Sequence, residues 1–398
     1  MQADSATEID DRKEALFLFN HEAAHQVAHI AGIGGALAKS GSMKRVVAAT
    51  STPQIKLEIE KILSAEEMQA LEWMDLSLPS WFHNMLRPIN KLLPIHRIAR
   101  LYWHRKALFK SAIIVSTERT CLTLKRHWRG RGGPAFAYIP HGSGDRNVAI
   151  HPALKDFDLC LVSGQKVVDQ LTDAGVVPTE NCRIIGYAKF DILRGRKPEK
   201  FFDNDRPTFL YNPHFDPFMS SWFDHGNEIL RYFFERPNDF NLIFAPHVML
   251  FTKTVHMSPE YKVTRIRPNI AAEYLTASNI RIDTDSPRLF DMSYTLSADA
   301  YIGDVSSQVY EFLYRPRPCY FLDVHSGNAA DGPPAYDFWR NGAVVESASA
   351  LAEILPDFED LGRRYRDIQI DRMAYTADNT DIRPASVRGA DAIIDFLS

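Results

Sequence analysis

Ala298–Asp323 reads ADAYIGDVSSQVYEFLYRPRPCYFLD, and its reading decides the fold. Its opening run, Ala300-Tyr301-Ile302, is short and apolar, as in a strand buried on both faces. Gly303 and Asp304 end it. Ser306 and Ser307 then open a segment, 306–314, whose apolar residues Val309, Phe312 and Leu313 recur at helical spacing. Pro316 and Pro318 stop the helix, and the apolar run 318–322 starts another strand that ends at Asp323. Strand, helix and strand in that order form a crossover unit, which requires a parallel sheet. Ser and Asp ahead of a helix satisfy its first N–H groups, and open α/β sheets bind ligands at such strand ends. On local chemistry alone the turn serves equally as a helix cap.

The same alternation extends outward. In the second half, strands are expected at 208–211, 242–245, 280–283, 300–302, 318–322 and 343–345, with helices near 222–235 and 347–355. In the first half, strands are expected at 15–19, 45–49, 112–116, 135–139, 159–162 and 183–185, with helices near 25–39 and 165–174. Between the halves, RGRKPEKFFDNDRP (194–207) is charged, holds Gly195 and Pro198, and lacks apolar periodicity, so it reads as a linker. The expected fold class is α/β: two doubly wound domains facing a cleft. The domains would span 1–195 and 206–375, with a C-terminal tail, 376–398, packing back on the first.

The chain has 398 residues, more than one core comfortably serves, and its composition is that of an ordinary globular protein. A formal net charge of −4 argues against a general nucleic-acid binder. The four cysteines (Cys121, Cys160, Cys182 and Cys319) form no close pair and read as buried free thiols in a reducing compartment. A polar, acidic start and the lack of any long apolar run point to a cytoplasmic protein, or one attached to the inner face of the cytoplasmic membrane.

DVSSQVYEFLYRPRPCYFLD resembles the signature of the CDP-glycerol glycerophosphotransferases, the family of the teichoic-acid polymerases and primases. The resemblance covers about 207–323 and reaches the first half through shorter motifs. It implies a GT-B-like architecture of two Rossmann-type domains, a nucleotide donor held mainly by the second, and donor phosphate at Ser306 and Ser307, with Asp304 a further candidate in the same turn. It also implies that His141 in Pro140-His141-Gly142-Ser143-Gly144 is the general base, with Gly142 and Ser143 beside substrate. A neutral imidazole can take a proton from an attacking hydroxyl near pH 7. The residues after His141-Gly142 depart from the Pro-x-Lys of many members, which leaves the acceptor side open. His247, after the strand NLIF, is implied to contact donor phosphate, and His214 in Asn212-Pro213-His214-Phe215 is expected to line the cleft. Gly186-Tyr187-Ala188-Lys189-Phe190-Asp191 resembles the end of a GT-B first domain and reads as structural. The expected partners are a nucleotide-activated donor and a glycan or lipid-linked acceptor. No metal or other cofactor is expected. A nucleotide-sugar glycosyltransferase and a nucleotide-sugar 2-epimerase fit the same architecture.

Two further segments bear on function. Trp81–Lys110 contains seven Lys or Arg residues and no acid, interleaved with aromatic and aliphatic residues. It suits an anionic membrane surface, with Arg97, Arg100 and Arg105 as candidate contacts, or a helix packed on the first domain. His21-Glu22-Ala23-Ala24-His25 is a literal HExxH with His29 four residues on. A zinc peptidase needs both histidines on one helical face, whereas this motif follows directly on a strand. Gly32, Gly34 and Gly35 resemble a dinucleotide fingerprint but fall inside the expected helix.

Overall fold

The computed structural model describes residues 14–21, 24–90, 95–127, 132–140, 150–324, 336–378 and 381–398. The chain divides into two compact units, residues 1–194 with 374–398, and residues 195–373.

The first unit is built on seven strands: β1 (Glu14–Phe19), β2 (Arg45–Thr50), β3 (Glu72–Asp75), β4 (Ile113–Ser116), β5 (Ala135–Tyr138), β6 (Leu159–Val162) and β7 (Cys182–Ile184). They pair in parallel in the order β3-β2-β1-β4-β5-β6-β7. β1 shows why the strands read as unbroken apolar runs. Ala15, Phe17 and Phe19 enter one core, and Leu16 and Leu18 enter another on the opposite face. The helix Ala31–Ser40 covers the first face and lies very close to it: a Cβ on Gly34 would sit 3.2 Å from the Phe17 ring, and one on Gly35 2.7 Å from Leu63. The glycine run therefore serves packing. The C-terminal helix Ala385–Leu397 lies against this helix, and the Asp191 carboxylate caps it by accepting the Ala385 and Ser386 amides at 3.1 and 2.7 Å. This gives the GYAKFD motif a structural role.

The second unit carries β8 (Thr208–Asn212), β9 (Asn241–Phe244), β12 (Ile280–Ile282), β13 (Ala300–Gly303), β14 (Cys319–Leu322) and β15 (Ala343–Val345), in the parallel order β12-β9-β8-β13-β14-β15. A separate antiparallel ribbon, β10 (Val255–Ser258) with β11 (Val263–Ile266), follows β9. The half-buried Arg317 explains the RPRP sequence. Its guanidinium donates to the carbonyls of Thr295, Leu296, Ala298 and Phe312 and lies over the Phe312 ring. It thus supplies donors to helix-terminal carbonyls that have no partner within their own helices.

The structure departs from the sequence reading in three places. β3 and the β10–β11 ribbon were not expected: both are only four residues per strand, and β3 lies at a sheet edge with its ends exposed. Second, residues 24–29 form a 3-10 helix, and the α-helix begins only at Ala31. A 3-10 helix aligns residues three apart, so His25 and His29 fall on different faces. His25 is exposed while His29 is buried edge-on to Tyr187. That is not the arrangement of a zinc-binding helix. Third, the helix expected at 306–314 is reduced to Val309–Phe312, with residues 304–308 in turns and bends. All four cysteines are buried.

Candidate active site

In the second unit the strand order reverses direction between β8 and β13, the two innermost strands. Such a switch point opens a crevice at the carboxyl ends of its strands. The segments leaving there are Asn212-Pro213-His214 after β8, Ala245-Pro246-His247 after β9, and Asp304-Val305-Ser306-Ser307 after β13.

Asp304 organises them. Only 1% of it is exposed, and its carboxylate accepts four hydrogen bonds. One oxygen takes the His214 and Val305 amides at 2.9 and 2.6 Å, and the other takes the Ser221 amide and hydroxyl at 2.7 and 2.8 Å. Burial pushes this carboxyl up to about 6, against the opposing pull of those four donors. The Ser221 hydroxyl also bonds to the Tyr211 hydroxyl at 2.9 Å, tying the loop back to β8. A second staple joins the strand ends: Tyr301 Oη donates to Asn212 Oδ1 at 3.2 Å, and Asn212 Nδ2 donates to the Ala245 carbonyl at 2.6 Å. Gly303 is required beside it, because a Cβ there would lie 2.5 Å from the Tyr301 ring.

This framework holds two imidazoles with their ring centroids 5.3 Å apart, and Phe215 packs on both. His214 Nδ1 accepts the Asp216 amide at 3.1 Å, and His247 Nδ1 accepts the Met249 amide at 3.2 Å. Each neutral ring is therefore fixed with its proton on Nε2, the donor edge. The His247 amide bonds to the Pro213 carbonyl at 2.9 Å, which fixes one loop against the other. His214 is buried and His247 half-buried.

Ser306 is buried and its Oγ accepts the Gln308 amide at 3.3 Å, whereas Ser307 is exposed. The following helix of four residues has little macrodipole, and Val305 and Gln308 spend their amides inside the turn. An anion here would accordingly depend on hydroxyls and imidazoles more than on a helix terminus. Asp304 is not turned toward solvent; it acts by positioning the His214 loop. Sequence reasoning missed Ser221 and Asn212, its partners in that task. The signal for Ser221 was a serine just ahead of the helix Trp222–Phe234, but nothing in the sequence linked it to a carboxylate 83 residues away.

His141, Gly142 and Ser143 lie outside the described residues. β5, which precedes them, sits between β4 and β6 in the first unit's sheet. The candidate membrane arginines separate from one another. Arg97 pairs with Glu118 at 2.6 Å, Arg100 is buried, and only Arg105 is exposed. They lie on the helix Ile95–Leu108, which packs against the helix Ser80–Asn90.

The fold places the chain in the GT-B class: two Rossmann-type α/β units in one polypeptide. Among solved structures it is similar to the wall teichoic acid polymerase TagF soaked with CDPG, at 14% identity and a TM-score of 0.59, covering 98% of this chain and 90% of that one. It is similar also to a UDP-GlcNAc 2-epimerase from Neisseria meningitidis bound to UDP-GlcNAc, at 10% identity and a TM-score of 0.58, covering 96% of this chain and 99% of that one. A third is the S. aureus MnaA–UDP co-structure, at 12% identity and a TM-score of 0.56. No family model matches the chain, and no curated protein matches it.

Proposed function

We propose that the protein is a transferase that moves a phosphopolyol, most simply glycerol phosphate, from a CDP-activated donor to a hydroxyl of a glycan or lipid-linked acceptor in cell-envelope polymer synthesis. The observation that carries this reading is the switch point of the second unit, where His214, His247, Ser306 and Ser307 converge on loops held by the buried Asp304. TagF, soaked with CDPG, shares the fold over nearly the whole chain.

In this reading the acceptor oxygen attacks the phosphorus that carries glycerol, and the bond from that phosphorus to the oxygen of CMP breaks. His141 takes the acceptor proton. CMP leaves with the bonding pair, and the Nε2–H of His247 donates to the charge that develops on it. Ser307 and the fixed imidazole of His214 hold the donor diphosphate. Asp304 touches no substrate and acts through the loops it anchors.

CMP release from CDP-glycerol in the presence of an acceptor, together with a rise in melting temperature on adding CDP-glycerol, tests the reading. Indifference to every CDP compound overturns it. The second reading is a nucleotide-sugar enzyme, favoured by an equally extensive likeness to the UDP-GlcNAc 2-epimerase. Stabilisation by UDP-GlcNAc but not by CDP-glycerol would select it, and conversion of UDP-GlcNAc without an acceptor would mark an epimerase.

A further inference from the structure

The antiparallel ribbon β10–β11 pairs with no other strand among the described residues. Its inner face is fastened to the second unit. The His256 ring bonds to the Leu250 and Lys253 carbonyls at 2.9 and 3.1 Å, and Ser258 is buried. Arg265 donates to both oxygens of Asp224 at 2.7 and 2.6 Å and lies over the Phe223 ring. At the tip, Tyr261 stacks on Phe218 with ring centroids 4.0 Å apart. The ribbon is thus fixed in place before any partner arrives. Its outer face is apolar and faces water: Val255 is 54% exposed, Met257 66% and Ile266 73%.

The backbone edge of β10 is open as well. The Arg267 amide donates to the Thr254 carbonyl at 2.8 Å, which sets the phase of the ladder. His256 and Ser258 therefore exchange bonds with β11, and the N–H and C=O groups of Val255 and Met257 point outward. Those four groups have no hydrogen-bond partner among the described residues. An open edge of this kind accepts another strand.

Charge separates the two edges of the ribbon. Lys262 and Arg267 flank β11, so a second copy of β11 would meet its own sign there. Opposite signs flank β10, the exposed Lys253 ahead of it and the exposed Glu260 after it. Antiparallel pairing of β10 with its own two-fold image, centred on His256, sets Val255 opposite Met257 of the second copy. That register satisfies all the outward groups and brings Lys253 of each copy beside Glu260 of the other. An unrelated strand would have to supply base and acid at the same spacing, whereas a second copy does so by symmetry. Pro259 has no N–H and ends the edge after Ser258.

We propose that β10 is a dimerisation edge, where two copies of the chain join around a two-fold axis into a four-stranded antiparallel sheet. Val255, Met257 and Ile266 of the two copies then form one apolar strip, with Met257 beside Val255 of the second copy. The dimer does not depend on which nucleotide the second unit binds.

Sedimentation velocity of the full chain over roughly a hundredfold range of concentration tests this. A monomer–dimer equilibrium is expected. Met257→Pro should abolish it, because proline removes an outward N–H and leaves the bonds to β11 in place. At dilutions where wild type is monomeric, the variant should keep its melting temperature. Lys253→Glu and Glu260→Lys should each weaken the dimer by about tenfold, since symmetry makes each change act twice. The two together should restore it. Amide exchange at Val255 and Met257 should slow as concentration rises, a readout that needs no variant. A chain that stays monomeric throughout, a dimer that survives Met257→Pro, or a double charge reversal without recovery overturns the proposal. Binding of an extended peptide at this edge by a chain that never self-associates overturns it too.

Discussion

The two sheets share a strand order around their switch points, yet the switch points are filled differently. In the first unit the crevice between β1 and β4 is occupied by the protein itself. Asn20, after β1, donates to the Arg97 carbonyl at 2.9 Å, Thr117, after β4, bonds to Gln26, and Arg97 reaches Glu118. The helix that carries Arg97 thus plugs the β1–β4 position. In the second unit no charged helix among the described residues plugs the corresponding crevice. A buried carboxylate instead collects four donors from its own loops and presents two imidazoles with fixed tautomers. Strand order alone places a potential ligand crevice in both units. The side chains at the strand ends are what distinguish the two, and the proposed donor site rests on those of the second.

Removing Asp304 should have the largest effect. Asp304→Ala leaves buried amides of His214, Ser221 and Val305 and the Ser221 hydroxyl without their acceptor, which costs about 3 kcal/mol or more. Urea unfolding should show that loss, and the response to CDP-glycerol should disappear with it. If the variant kept full stability and donor response, the second switch point would not depend on its carboxylate, and the contrast between the units would fail. Next in size, His247→Ala should reduce CMP release by roughly 100-fold or more while leaving the fold intact. Its ring accepts a neighbouring amide, and an alanine there keeps the backbone bond to the Pro213 carbonyl that joins the two loops. Steady-state kinetics on folded protein checks this, and wild-type turnover would remove His247 from the chemistry.

Much of this was legible in the sequence, and the reasons are physical. A parallel sheet buried on both faces writes itself as unbroken apolar runs such as Leu16–Phe19 and Phe209–Tyr211, so the alternation of elements and the two units could be read directly. His214 and His247 stood out because each follows a strand. The short edge strand β3 and the ribbon were hidden, since four residues per strand give too little periodicity. The role of Asp304 was hidden for another reason. Its local sequence is compatible with a residue facing ligand, and only the return of the 213–221 loop turns it into an internal anchor. The basic stretch Trp81–Lys110 was visible as a charge pattern, but which arginines face water depends on Glu118, a partner outside that stretch.

In the first unit, Arg97→Met should leave the Glu118 carboxyl partly buried without its cation. Burial already holds that carboxyl above its usual range, and Arg97 opposes the rise. Because the arginine is about a third exposed, solvent screens the pair, and the expected loss is only about 1 kcal/mol. The response to CDP-glycerol should not change. A variant that lost donor response as fully as Asp304→Ala would show that the plugged switch point also serves the donor.

The effect of pH has a sign that separates the two roles of Asp304. Its folded-state value, about 6, lies above the ordinary 3.8, the reverse of a salt-bridged acid. Between those values the folded protein binds a proton that the unfolded chain does not, so this group's contribution to stability falls as pH rises from about 4 to 6 and is level above. Donor binding should move the other way. Protonation below about 6 replaces an acceptor with a donor at the point where the His214 and Ser221 amides converge, and this loosens the loop that holds the histidine. Wild type and Asp304→Asn, compared by urea unfolding and by CDP-glycerol titration from pH 4 to 8, isolate both trends. The stability difference between the two proteins should carry the slope, and the wild-type donor affinity should drop in acid, whereas the variant's donor affinity is weak throughout. Stability and donor affinity that fell together on acidification would mean that the carboxylate is held mainly by its hydrogen bonds and that burial does not dominate.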